Sequence, residues 1–459
     1  MIVLVVADDF NFNNLKKPTF TNASVHDPGV IKVNNEFYVF GSHLAVAKTT
    51  DFMDWEQIAN HAGGDHPIFG DAQEKFKDCL DWAESKTFWA PDMIQLEDGR
   101  FLFYYNACRG DAPKSALGIA VSESIDGPFE DLGVILKSDM IDELSNDGTS
   151  YDGAIHPNVV DPHTFFCKEG RLWMMYGSFS GGIFILEMNP KTGFPLPEQG
   201  YGKKMLGGNH LEIEGPYVIY APETDYYYMF LTYGRLNPDG GYNMRIMRSK
   251  NPDGPYGDAS GFAMINAIGP DGTMFDRESC AKHGSVIMRN HQFVDSEVAF
   301  LSPGHNSVYR CAETGRYFLI FHVRFNDLGF HDHQIRVYEM FLNEAGWFVV
   351  APHRYSNQIY PEYQLSDVAG DYNFIVHGRE INAEISPSVR ISLFADGSLK
   401  GINGSWSYDT KTKFIDILVD GVEYQGVVSH QWNEAVDQFV MTFTAMSNEG
   451  ISIWGSKVV

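Results

Sequence analysis

Glu214-Gly215-Pro216-Tyr217-Val218-Ile219-Tyr220, the turn at Thr224-Asp225, and then Tyr226-Tyr227-Tyr228-Met229-Phe230 form the stretch that decides the fold. A short polar cluster opens an apolar run, a turn reverses the chain, and an aromatic-rich run follows. The same order recurs four more times. The other openings are His26-Asp27-Pro28-Gly29-Val30, Trp89-Ala90-Pro91-Asp92-Met93, Val160-Asp161-Pro162-His163-Thr164 and Gly304-His305-Asn306-Ser307-Val308. The runs that answer them are 37–40, 101–105, 172–176 and 317–321. Proline is tolerated where a strand begins, because its missing N–H interrupts no ladder bond. Third runs of rough alternation follow at 117–122, 182–187, 244–249 and 334–341.

Units of this length with about four strands each predict a β-propeller whose blades surround a central channel. Five blades account for roughly residues 20–350. Insertions at 61–86 and 254–297 interrupt the repeat and are expected on a face of the ring, often the binding face. Beyond residue 355 the runs become short and regular, with hairpin signals at Asp396-Gly397 and Asp420-Gly421. The expected organisation is therefore all-β: a five-bladed propeller over 1–355, then a small barrel or sandwich over 356–459. In that second domain Trp406, Tyr408 and Trp432 read as core in preference to a sugar-stacking platform.

A formal charge of −26 argues against a nucleic-acid partner, since phosphates would be repelled. No stretch approaches the length of a membrane-spanning helix. The five cysteines are widely spaced and odd in number, so neither a disulfide framework nor a zinc site is expected. Met1–Ala7 is apolar but lacks a basic start and runs at once into Asp8-Asp9, so it does not read as an intact signal peptide.

The innermost strand of each blade lines the channel, so residues opening it share one rim. Asp27, Asp161 and Glu214 then meet despite their separation in sequence. Hydrolysis of a glycosidic bond needs one acid to protonate the leaving oxygen and one base to activate water, about 6.5–9.5 Å apart in the inverting variant. A third carboxylate beside the acid raises its pKa. Taken singly, each acid-proline or glycine-proline pair is an ordinary turn; recurrence at equivalent points gives them weight. Glu212 lies two residues before Glu214 and competes for its role.

These segments resemble glycoside hydrolase family 43, and most of all its two-domain endo-1,5-α-L-arabinanases. The resemblance is carried by Val25–Gly29, Phe88–Asp92, Asn158–Pro162, Ile213–Tyr217 and Ser302–Asn306, and continues through Phe321–Phe325 and Gly346–Pro352. It implies that Asp27 is the general base, Glu214 the general acid, and Asp161 the residue that tunes and orients the acid. It implies further that Trp89 walls or stacks on a furanose ring and that Ser178 supplies a hydrogen bond near the cleavage point. By the same resemblance, one calcium ion sits in the channel with His305 beside it. From residue chemistry alone His305 reads as a satisfied polar residue, because calcium prefers oxygen. His26 and His43 are expected on the channel rim, whereas His331 and His333 read as ordinary loop residues.

The implied substrates are arabinan and arabino-oligosaccharides, the expected state is a monomer, and a polymeric substrate favours secretion. An exo-acting arabinanase, an α-L-arabinofuranosidase or a β-xylosidase would keep the same acids, and the 61–86 insertion could close one side of the cleft. A non-catalytic sugar-binding propeller is the reading from another class; it has no need of three channel acids.

Overall fold

The computed structural model describes residues 15–327 and 332–459. The apolar N-terminal residues and His331 lie outside the described residues. Four sheets of four antiparallel strands follow one another in simple up-and-down order. The first strands of successive blades are Gly29–Val33, Asp92–Gln95, His163–Phe166, Ile213–Ala221 and Phe300–Arg310. Each touches the first strands of both its neighbours, and the fifth touches the first. The five sheets therefore close into a ring around a channel. The segment before the first blade ties the closure: the Ile335 N–H donates to the Ala23 carbonyl at 3.0 Å, and the Arg354 guanidinium lies 3.8 Å from the Phe20 ring centre.

The aromatic-rich runs are the second strands, Glu36–Gly41, Phe101–Cys108, Leu172–Tyr176, Tyr226–Tyr233 and Tyr317–Phe325. They carry continuous apolar runs because neighbouring blades cover both of their faces, and almost every residue in them is buried. Buried tyrosines find backbone acceptors within and between blades, as polar tips in a core require. Tyr104 donates to the Gly193 carbonyl at 2.8 Å and Tyr176 to that of Tyr201 at 2.7 Å.

The two insertions differ in what they cover. Residues 61–86 fold into the short helices Ala72–Lys75 and Lys77–Ala83, the first capped by Asp71, whose carboxylate accepts the Glu74 N–H. Phe69, Phe76, Cys79 and Leu80 are buried with Phe103 and Tyr105 of the second blade. Burial of that apolar face fixes the insertion against the propeller, and none of its residues lines the cavity at the channel mouth. The second insertion contains the blade's own fourth strand, Ser285–Met288, and its tip at Met274-Phe275 reaches the channel mouth.

The C-terminal region is one eight-stranded antiparallel sheet running from Gly370–His377 to Ser452–Lys457. An isolated bridge between Ser398 and Ser405 joins its two edges, which makes it a barrel instead of a sandwich. Trp406 and Trp432 are 5% and 6% exposed, so neither presents a stacking face. The segment around residues 379–388 returns to the propeller. Ser386 pairs with His291 of the fifth blade's sheet, Arg289 donates to Glu380, Asn382 and Glu384, and Ile381 is buried in a propeller cluster.

Candidate active site

One cavity of about 600 Å³ opens at the channel mouth, and Asp27, Trp89, Asp161, Ser178, Glu214 and His305 all line it. Its size is that of an ordinary small-ligand site. The ring thus gathers the residues singled out in the sequence. The backbone explains how. Asp27, Asp161, Gly215 and His305 occupy the same place in their blades and share left-handed φ values of 55°, 57°, 62° and 44°. A side chain at a left-handed residue costs energy and persists where the surroundings enforce it, commonly at functional sites. Glu214 stands one residue earlier, in the place taken by His26 and Trp89 in other blades. Its blade puts glycine at the left-handed position, where a Cβ would lie 3.1 Å from the His305 ring. The strand bulges between Glu214 and Tyr217, which accommodates Pro216.

The three acids have opposite electrostatics. Asp27 is buried, which disfavours its charge, but the imidazoles of His26, His305 and His322 outweigh burial and hold its pKa well below the usual carboxylate range. Its Oδ1 lies 3.1 Å from His26 Nε2 and 3.2 Å from His305 Nδ1, and its Oδ2 accepts the Ser42 hydroxyl at 2.6 Å. Asp161 Oδ2 accepts a weak hydrogen bond from the Gly215 N–H at 3.3 Å. Burial raises the pKa of Asp161 strongly and of Glu214 as well, and Asp161 and Glu214 repel each other's charge. That pair keeps a proton while Asp27 is ionised. Burial accounts for more of the rise at Glu214 than the like-charge repulsion expected from sequence. For His305, burial opposes protonation, but Asp27, Asp161 and Glu214 together raise its pKa.

Glu214 is held at both oxygens. Ser178 donates to Oε2 at 2.8 Å and Tyr242 to Oε1 at 2.6 Å. Tyr242 carries no local motif and was invisible in the sequence; only the ring places it here, fully buried in the channel wall. Its hydrogen bond lowers the Glu214 pKa, so its loss works in the other direction. Tyr242→Phe is expected to lower kcat roughly tenfold and to move the alkaline limb of the pH–rate profile upward, since a Glu214 deprived of this donor holds its proton longer. An unmoved limb counts against this role.

Glu212 does not compete with Glu214. It is 1% exposed and lies against Arg235 Nε at 2.5 Å and Arg277 Nε at 2.8 Å. Arg235 in turn covers the Phe275 ring at 4.2 Å, so Glu212 anchors the loop tip that borders the cavity. Asp92 also stays out: its Oδ2 accepts the N–H and hydroxyl of Thr164, both at 2.6 Å, tying two blades together. His26 and His43 line the cavity. His333 does not behave as a loop residue: it is 6% exposed, and its ring stacks on His26 at 4.4 Å.

Beside His305, whose Nδ1 lies 3.2 Å from Asp27 Oδ1, the carboxylates of Asp27, Asp161 and Glu214 supply the negative charge that a cation would need.

A propeller that delivers an ionised carboxylate and a proton-bearing carboxyl pair into one cavity is built for acid–base hydrolysis. Residues 16–348 match the glycosyl hydrolases family 43 and residues 352–455 a C-terminal lipocalin-like domain; the chain belongs to glycosyl hydrolase family 43. It is 49% identical over 446 residues to extracellular endo-α-(1→5)-L-arabinanase 2 of Bacillus subtilis, spanning 96% of this chain and 94% of that protein. Its fold is similar to that of a family 43 glycoside hydrolase from Bacillus licheniformis, with a TM-score of 0.94, 51% identity, and coverage of 96% and 100%. An endo-1,5-α-L-arabinanase from Thermotoga petrophila superposes with a TM-score of 0.92 at 46% identity, over 96% and 100% of the two chains.

Proposed function

We propose that this glycoside hydrolase cleaves internal α-1,5-linked L-arabinofuranosyl bonds of arabinan with inversion. The observation that carries the mechanism is the split between ionised Asp27 and the proton-bearing Asp161–Glu214 pair in one cavity. Asp27 accepts a proton from water as the water attacks the anomeric carbon. Glu214 gives its proton to the departing oxygen, and the like-charge repulsion between the two buried carboxyls keeps a proton on the Asp161–Glu214 pair for that step. A serine hydroxyl donates or accepts, so the Ser178 contact survives when Glu214 is protonated. Trp89, half-buried on the cavity wall, offers a face for a furanose ring.

The names of the similar arabinanases support this substrate and internal cleavage, and no residue of the 61–86 insertion lines the cavity. The word extracellular in the name of the Bacillus subtilis protein favours secretion. A calcium ion beside His305 belongs to the same reading; when bound it offsets the repulsion among the acids.

Products from linear arabinan, separated by chromatography with the first-formed anomer followed by NMR, test the reading. Mixed oligosaccharides, a rapid fall in viscosity and an inverted anomer are expected. Arabinose released alone from the start would make the enzyme exo-acting, and a retained anomer would remove the water-activating role of Asp27. Repeating the assay after chelation, with calcium restored, tests the ion: activity should fall and return.

A further inference from the structure

The acid–base reading leaves a group of buried histidines without a task. One ring nitrogen from each of His26, His322 and His333 lies within 4.8 Å of the other two. His322 is 0% and His333 6% exposed, and the Nε2 atoms of both are buried with no hydrogen-bond partner. The rings are packed on one another, His26 on His333 face to face at 4.4 Å and His322 edge-on to both at 4.8 Å. Buried ring nitrogens without partners call for an explanation, and a bound ion is one that fits two of them facing a third histidine. We propose that His26, His322 and His333 bind a divalent transition-metal ion of the zinc, cobalt or nickel kind, at a site separate from any calcium beside His305.

The chemistry selects that class. Imidazole nitrogen suits zinc, nickel and copper, while calcium and magnesium take oxygen. Ligand histidines have to be neutral, and the burial of His322 and His333 disfavours their charged forms. Three atoms within 4.8 Å of each other all lie at most about 2.8 Å from a common point, against ~2.0–2.1 Å for a zinc–imidazole bond. An inward shift of less than about 1 Å per ring closes the site. A second cavity of about 390 Å³, lined by both His26 and His333, gives the ion a route in.

The site also reaches the reaction centre. His322 Nδ1 lies 3.1 Å from the Asp27 N–H and 3.4 Å from Asp27 Oδ1, so the ring accepts in one tautomer and donates in the other. A metal on Nε2 selects the donor form, which places a carboxylate–histidine–metal line behind Asp27. The ion would therefore orient the base without touching substrate.

Cobalt(II) is the probe. Metal-stripped full-length protein is dialysed against it with calcium in excess, and visible absorption is recorded beside bound metal. One cobalt per chain with nitrogen-ligand bands is expected for the wild type. Affinity should fall at least about tenfold in His333→Ala and remain unchanged in His43→Ala, which alters the same cavity outside the cluster. No uptake by the wild type, or equal uptake and spectra in His333→Ala, overturns the site. Should that variant misfold by circular dichroism, imidazole NMR of the wild type titrated with zinc decides. Ring shifts at His26, His322 and His333 support the site, and shifts confined to other histidines overturn it. Hydrolysis by the metal-stripped, calcium-restored protein is measured separately, so failure here leaves the arabinan reading standing.

Discussion

Glu214→Gln is expected to lower kcat on linear arabinan by roughly 10²–10⁴-fold, the usual worth of a positioned general acid, with an unchanged circular dichroism spectrum. Gln keeps the shape and can still accept from Ser178 or Tyr242 through its carbonyl oxygen, but it has no proton to give. The loss should depend on the leaving group. An aryl arabinofuranoside that departs as a stable phenolate needs little protonation, so its hydrolysis should suffer far less than that of the polymer. The alkaline limb of the pH–rate profile should also vanish, because the group whose raised pKa sets it has gone. Undiminished activity on arabinan would remove Glu214 from the acid role, and equal losses on polymer and activated substrate would assign it to binding or positioning.

The parts of this site that were legible in the sequence are those tied to a backbone requirement. Asp27 and Asp161 sit in left-handed turns before a proline that starts a strand, and such turns leave a local motif. Glu214 was legible for a related reason: the glycine after it fills that turn, so the acid is displaced by one place but keeps its Gly-Pro signature. Tyr242 leaves no signature: it is one tyrosine just before a third strand. His322 lies in Phe321–Phe325, a segment that carries the resemblance, but nothing in it singles out the histidine; both come to the site only when the ring closes. Burial misled in the opposite sense at His333, where a loop-like stretch of sequence delivers a side chain packed between rings. The 61–86 insertion was visible as an interruption, but its apolar residues fit either a cleft wall or a flank. Phe103 and Tyr105 on the second blade decide for the flank, and those contacts are not encoded in the segment itself.

The mirror-image experiment is Asp27→Asn, for which a loss of about 10²–10⁴-fold is expected on polymer and activated aryl substrate alike. Water activation is needed whichever group departs, so a better leaving group offers no relief, and this contrast with Glu214→Gln separates base from acid. The pH dependence in the wild type follows from the same residue. A carboxyl whose pKa is lowered stays ionised, and the base stays competent, as pH falls through the ordinary carboxylate range; competence is lost only below it. Hydrolysis should accordingly persist on the acid side, with the limit set by Asp27 and its imidazoles. His26→Ala removes one of those imidazoles, so the Asp27 pKa should rise and the acid limb should move to higher pH. An acid limb that stays put would mean that His26 does not hold Asp27 ionised, even though its Nε2 stands 3.1 Å from the carboxylate.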